Sequence, residues 1–259
     1  MEDRVKIRSI GLAELLLLWR NRTALFNALV LPFAIILPIA SIEFDGDALS
    51  HSAFVITSML GFVMLAPVYY NLVTTFVARR EELVLKRLRV GELSDTEILA
   101  GTASSAIAIA VAQIVLFIGA GAALLGLPMP VNAPVLLVGV LGGVALFALL
   151  AAVSAAYTRT VEMAQITSLP VLMACVIGSG LTVPLSSLPD AVAGALRFLP
   201  LTPVMDLLRL GWVGTTGESA PLDFTGVLGS AVTPVALLAV WTVLGAVAVR
   251  RWFRWEPRR

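Results

Sequence analysis

Residues 79–97 read RREELVLKRLRVGELSDTE, and ten of these nineteen residues are charged, five basic and five acidic. Long apolar runs flank them, 52–78 before and 98–127 after. A charged interval between two such runs is either a plain connector or a place where something outside the hydrocarbon takes hold. Its local chemistry favours the second. Glu82 and Lys86 stand at i and i+4 in the favourable order, which supports an exposed helix by about 0.2–0.5 kcal/mol. Leu85, Leu88 and Arg89 stand at i, i+3 and i+4, a small face suited to a partner's groove. The spacing predicts a short helix over 81–89 and a turn at Gly91. Ser94 and Glu97 then stand at capping-box spacing, and Asp95 and Glu97 put negative charge in the first turn of the following helix, where the helix dipole favours it. The competing reading is a solvated loop, because charged helix faces usually serve only water.

The surroundings of this stretch are hydrocarbon. The 259-residue chain is 59% hydrophobic and 14% charged, against about 45–50% and about 25% in soluble domains. It reads as an integral membrane protein forming a single domain over 1–259, without room for a separate soluble catalytic domain. About 20 apolar residues cross a core of about 30 Å. Six runs qualify: 23–42, 52–78, 98–127, 134–157, 166–184 and 231–249. The expected fold is therefore an all-α polytopic membrane protein with six transmembrane helices. Pro32, Pro38, Pro67 and Pro170 are expected to bend their helices. Gly139 and Gly143 form a GxxxG spacing, which permits close helix approach either between chains or locally.

Residues 1–22 carry Arg4, Lys6, Arg8, Arg20 and Arg22 around apolar positions, a pattern that suits an amphipathic helix in the headgroup plane. A secretory signal peptide is the alternative, but the twenty-residue run that follows exceeds the roughly 7–15 residues of a signal's apolar core. With the N-terminus cytoplasmic, sixteen of the eighteen basic residues fall inside, leaving only Arg197 and Arg209 outside. The positive-inside rule thus predicts both termini in the cytoplasm. Between the last two spans, Pro189-Asp190 and Thr202-Pro203 open two stretches of about ten residues. These are expected to be short re-entrant or interfacial external helices within 190–213, too short to cross.

No Asp, Glu, Lys, Arg or His lies in the six spans. Ion-coupled carriers and intramembrane acid–base catalysts need such groups despite a cost of roughly 2.5–3.5 kcal/mol each. Neither lysine, Lys6 or Lys86, stands in a GxxxxGK[ST] loop, so nucleotide chemistry is expected in a partner and no cofactor in this chain. His51 near Glu43, Asp45 and Asp47 reads as a solvated outer loop rather than a metal site. Cys175 reads as packing. Tyr69, Tyr70 and Asn71 either line a passage or hydrogen-bond a neighbouring helix. Arg197, Asp206 and Arg209 are expected to form a structural group at the outer side.

With these elements in place, the chain resembles an ABC-2 type exporter permease of the daunorubicin-resistance kind. The features that carry the likeness are the amphipathic start, the stretch Arg80-Glu81-Glu82 to Leu85-Lys86-Arg87-Leu88-Arg89 with Leu93-Ser94 and Glu97-Ile98-Leu99, and Leu199-Pro200-Leu201-Thr202-Pro203 to Leu208-Arg209. Leu83-Val84 stands where the family has Gly-Thr, and Leu201 where it often has Asn. The resemblance implies a bacterial inner-membrane permease that pairs with a second permease, identical or related, in contact with membrane lipid. Two cytoplasmic ATPase subunits bind ATP and Mg and drive outward export. Nucleic acid is not an expected partner. It further implies that Glu81, Glu82, Leu85, Lys86, Arg87, Leu88 and Arg89 couple to the ATPase, and that Tyr70, Asn71, Thr74, Thr167 and Met173 border the substrate path. Uncharged spans suit a hydrophobic or amphipathic cargo such as a drug, antibiotic or lipid. The alternatives are a polysaccharide or glycolipid exporter permease, and a non-transport assembly or sensor protein.

Overall fold

A computed structural model describes residues 51–90, 93–183, 185, 188–217 and 219–256. The amphipathic start at 1–22 and the first expected span at 23–42 lie outside the described residues, as does Gly91. The described residues form nine helices and no strand: α1 His51–Glu81, α2 Val84–Val90, α3 Asp95–Leu124, α4 Ala133–Tyr157, α5 Val161–Gly178, α6 Asp190–Leu196, α7 Thr202–Val213, α8 Phe224–Ser230 and α9 Val232–Trp252. Five of them, α1, α3, α4, α5 and α9, are long and apolar enough to cross a membrane.

Proline shapes α1. The ring nitrogen of Pro67 has no hydrogen to donate, which breaks the regular ladder. From Met64 to Tyr70 the helix widens to π geometry, and the Asn71 N–H reaches back five residues to the Ala66 carbonyl. Above and below this segment, His51–Val63 and Asn71–Glu81 are ordinary α-helix.

Capping sets several of the other boundaries. The Ser94 hydroxyl accepts from the Glu97 N–H, and the Glu97 carboxylate accepts from the Ser94 N–H at 2.7 Å, a complete capping box at the start of α3. The sequence places the end of this span at 127, but the helix stops at Leu124. The Leu125 N–H closes the last turn on Gly121, and Gly126 takes a left-handed φ of 60°. The fifth span is expected over 166–184 but runs Val161–Gly178. Thr160 caps its start through the Met163 N–H, and Gly180, at φ 73°, turns the chain away after its end. The last span extends to Trp252, so Arg250 and Arg251 fall in its final turn, where cations offset the helix dipole.

The centre of the bundle is α4. The part of α1 from Met64 to Glu81, together with α7 and α9, packs on it, and its glycines explain why. A Cβ on Gly139 would sit 3.0 Å from the Leu207 Cβ, and one on Gly143 would sit 2.9 Å from Val204 Cγ1. The GxxxG pair therefore seats α7 within the same chain. Gly142, on another face, lies under Leu238 of α9, where an added Cβ would approach to 2.5 Å. From the other side Gly211 of α7 lies so near the Leu136 backbone that a Cβ would come within 2.5 Å of its nitrogen. Although too short to cross, α7 is buried along nearly its whole length among α1, α4 and α9.

Polar contacts close the end of the bundle near α7. Asn132, fully buried, caps α4 through the Val135 N–H and donates its amide to the Phe224 carbonyl at 3.0 Å. The Trp212 indole donates to the Pro128 carbonyl at 2.9 Å. Arg209 is buried, with its guanidinium over the Phe54 ring at 5.3 Å and a hydrogen bond to the Gly180 carbonyl. Its cation thus serves the joint between α1, the α5 exit and α7.

Candidate functional site at the basic end

The opposite end of the bundle gathers the charge. The end of α1, α2, the start of α3, the end of α4, the start of α5 and the end of α9 meet there through polar and aromatic contacts described below. The helix α2 is joined to α1 by two residues, Glu82 and Leu83, and Leu83 holds a left-handed φ of 60°. Leucine bears a steric cost in that region, so the corner is set by its surroundings. This break corrects the expected continuous helix over 81–89. It also removes the Glu82–Lys86 pair, since the two residues no longer share one helix. Glu82 instead lies 3.4 Å from Arg79, one turn earlier on α1, and Lys86 lies 2.9 Å from Glu256.

Burial divides the coupling candidates into two groups. Leu85 is 0% exposed and anchors α2 to α1 and α3, so it is not available to a partner, contrary to the expectation that it seats in one. Leu88 is half-buried. Glu81, Glu82, Lys86, Arg87 and Arg89 are exposed, and Val90 is 83% exposed. What α2 offers outward is therefore mostly charge, with one apolar residue at its tip.

Arg80 ends up far from where its sequence position suggests. As the second of two arginines closing an apolar run, it reads as an interfacial residue, yet it is 1% exposed. Its guanidinium donates to the Ala155 carbonyl at 2.8 Å and to the Thr158 carbonyl. Both carbonyls belong to the end of α4, whose last four C=O groups have no partner within the helix. Arg80 thus caps a helix 75 residues away in sequence and joins the base of α1 to the base of α4. Thr158 continues the joint: its hydroxyl lies 2.7 Å from that of Thr167 on α5.

The residues after α9 complete this end. Phe253 meets Phe76 of α1 edge to face at 6.0 Å, and Trp255 meets Phe253 at 4.9 Å. Arg89 lies over the Trp255 ring at 5.0 Å and is paired with Asp95 at 3.2 Å. The ion pairs are about half exposed, worth about 0.2–1 kcal/mol each, and the cation–π contact adds about 0.5–1 kcal/mol. Individually these are weak, but together they connect α1, α2, α3 and α9. Between α2 and the tail lies an open groove of about 710 Å³, lined by Lys86, Arg89, Val90, Arg254, Trp255 and Glu256. In sequence the tail speaks only to orientation, through its arginines. The one available signal was its aromatic content, Trp252, Phe253 and Trp255 among arginines.

The residues named for the substrate path separate differently. Most of α1 is buried, but Phe62, Ala66, Tyr70, Asn71, Thr74, Thr75, Ala78 and Arg79 form a half-buried stripe. Tyr70, Asn71 and Thr74 share this stripe, and the Thr74 hydroxyl bonds the Tyr70 carbonyl of its own helix. Tyr69 points elsewhere. It is fully buried, its hydroxyl lies 2.9 Å from that of Ser154 on α4, and its ring meets Phe147 edge to face at 6.2 Å. The two alternatives for the Tyr69–Asn71 cluster are thus split between neighbours. Thr167 is half-buried, with its hydroxyl engaged by Thr158 and the Met163 carbonyl, whereas Met173 is 47% exposed on α5. The structure does not bring Met173 and the α1 stripe together through any hydrogen bond.

A model of the family described as ABC-2 type transporter matches residues 6–212 of this chain. The sequence matches none of the curated proteins compared with it.

Proposed function

The chain belongs to the ABC-2 type transporter family, and from that premise we propose that it is the pathway-forming subunit of an exporter driven by a separate ATPase. A multi-pass membrane permease follows from the family and the five apolar helices. The observation that carries the finer reading is α2: a short, charged helix at the base of α1, anchored by Leu85 and turned outward along Lys86, Arg87 and Arg89. In this reading the basic end faces the cytoplasm, in keeping with the bias of Lys and Arg to that side.

The proposed cycle begins when two ATPase subunits, holding ATP and Mg, bind this end of a permease dimer. Their closure pushes α2, and the base of α1 moves with it through the Glu82–Leu83 corner. Arg80 transmits that displacement to the end of α4, and the Thr158–Thr167 contact passes it to α5. The substrate path is bordered by Tyr70, Asn71 and Thr74 on the half-buried stripe of α1 and by Thr167 and Met173 on α5. Its neutral hydroxyl, amide and thioether groups suit a hydrophobic or amphipathic cargo carried outward.

The test is a permease carrying Glu82→Lys and Arg87→Glu, both exposed and outside the packed core. It is expected to reach the membrane in normal amount while losing transport of amphipathic compounds and co-purification with the ATPase. Undiminished transport by that double variant would sink the coupling assignment.

A further inference from the structure

The joint between α1 and α2 is too slight to serve as the whole coupling element. It has two residues, one of them in a left-handed conformation, and among the side chains of α2 only Leu85 is fully buried. A helix held this way pivots when pushed at its tip. The contacts that oppose pivoting come from the opposite end of the chain. Phe76, Phe253, Trp255 and Arg89 form an unbroken series of ring contacts from the base of α1, through the tail, to α2. The Lys86–Glu256 pair fastens the same two segments one turn earlier on α2.

We propose that residues Phe253–Glu256 are a second arm of the coupling element, holding α2 rigid and delivering thrust into α9 as well as into α1. The connection has little slack, since Phe253 directly follows the last residue of α9 and its N–H still bonds the Val249 carbonyl. From α9 the displacement reaches α4 and α7, both packed against it. Through α7 it arrives at the far end of the bundle, where Trp212 holds the α3–α4 connection at Pro128. The groove between α2 and the tail then presents one continuous surface to the ATPase, with Trp255 and Glu256 as positioning residues. This inference rests on the coupling role of α2 proposed above.

Spin-label distances in the ATPase-bound complex test it without knowledge of the substrate. The chain has a single cysteine, Cys175, which is buried, so introduced cysteines can be labelled selectively. Val90→Cys with Val115→Cys reports α2 against the middle of α3, where Val115 is exposed and which neither the Arg80 cap nor the tail joins to α2, and Val90→Cys with Arg251→Cys reports α2 against α9. On trapping with ATP and vanadate, the first distance is expected to shift and the second to stay fixed. In a Trp255→Ala background the second is expected to shift too, and ATP hydrolysis dependent on the permease to fall severalfold, whereas Trp255→Phe keeps the parent's behaviour. Should Trp255→Ala fail to insert, Glu256→Lys is expected to behave like it, whereas Glu256→Asp keeps the parent's distances. A second distance that shifts in the parent as far as the first overturns the proposal, as does a Trp255→Ala variant indistinguishable from the parent. An immobile first distance overturns the α2 reading itself and the proposal with it.

Discussion

Replacing Arg80 by methionine keeps side-chain length and removes every donor. The structure gives the consequence in energy. Two hydrogen bonds from a charged donor to the Ala155 and Thr158 carbonyls disappear, worth about 1.5–3 kcal/mol each. Taking a buried guanidinium away also returns part of its desolvation cost, which amounts to several kcal/mol. The expected net loss is about 2–4 kcal/mol, or a fall in unfolding temperature of roughly 5–10 °C for a chain of this size. Arg80→Lys keeps the charge but not the planar fork, and is expected to lose about half as much. Thermal unfolding of the detergent-purified protein, followed by tryptophan fluorescence, measures both. The far end of α4 provides an internal control, because hydrogen exchange is expected to rise at the last turn of α4 and not at its first. Arg80→Met melting with the parent, or loosening α4 evenly along its length, would refute the capping argument.

Four other substitutions test the packing of the bundle. Gly211→Ala places a Cβ against the backbone of Leu136, not against a movable side chain, and is expected to cost about 1–3 kcal/mol through displacement of α7, seen as a lower unfolding temperature. Asn132→Ala removes the cap of α4 and the bond to the Phe224 carbonyl, with an expected loss of about 2 kcal/mol. Tyr69→Phe and Ser154→Ala each delete one side of a neutral hydrogen bond. A double-mutant cycle in unfolding free energy is expected to return a coupling of about 0.5–1.5 kcal/mol, and a value near zero would show the pair unlinked.

Local signals in the sequence located much of this architecture. The capping box at Ser94 is complete within four residues, so the start of α3 is readable from them alone. Apolar length was enough to mark five helices, and the proline at 67 correctly warned of an irregular α1. What the sequence did not disclose depends on distant partners. Arg80 resembles any cation at a membrane edge until the end of α4, far along the chain, supplies its acceptors. Leu85 looked outward because a three-residue face says nothing about which side the body of the protein lies on. The break at Leu83 carries no turn-forming residue to announce it. Phe253 and Trp255 acquire meaning only once α2 is brought beside them. For the same reason Gly139 and Gly143 left open whether the close neighbour was another chain or, as found, α7.

The widened turn at Met64–Tyr70 has a consequence for the phase of α1. An α-helix advances about 100° per residue, so one residue accommodated in a wider turn sets the azimuth of everything below it. Tyr70, Asn71 and Thr74 share their stripe, and Arg80 faces α4, only in that phase. Replacing Pro67 so that the helix closed to regular geometry with every residue kept would swing its lower half by about 100°. Arg80 would then leave the carbonyls it caps, and the polar stripe would be turned to a different set of neighbours. The irregular segment thus acts as the dial by which the upper and lower halves of one helix are aimed independently.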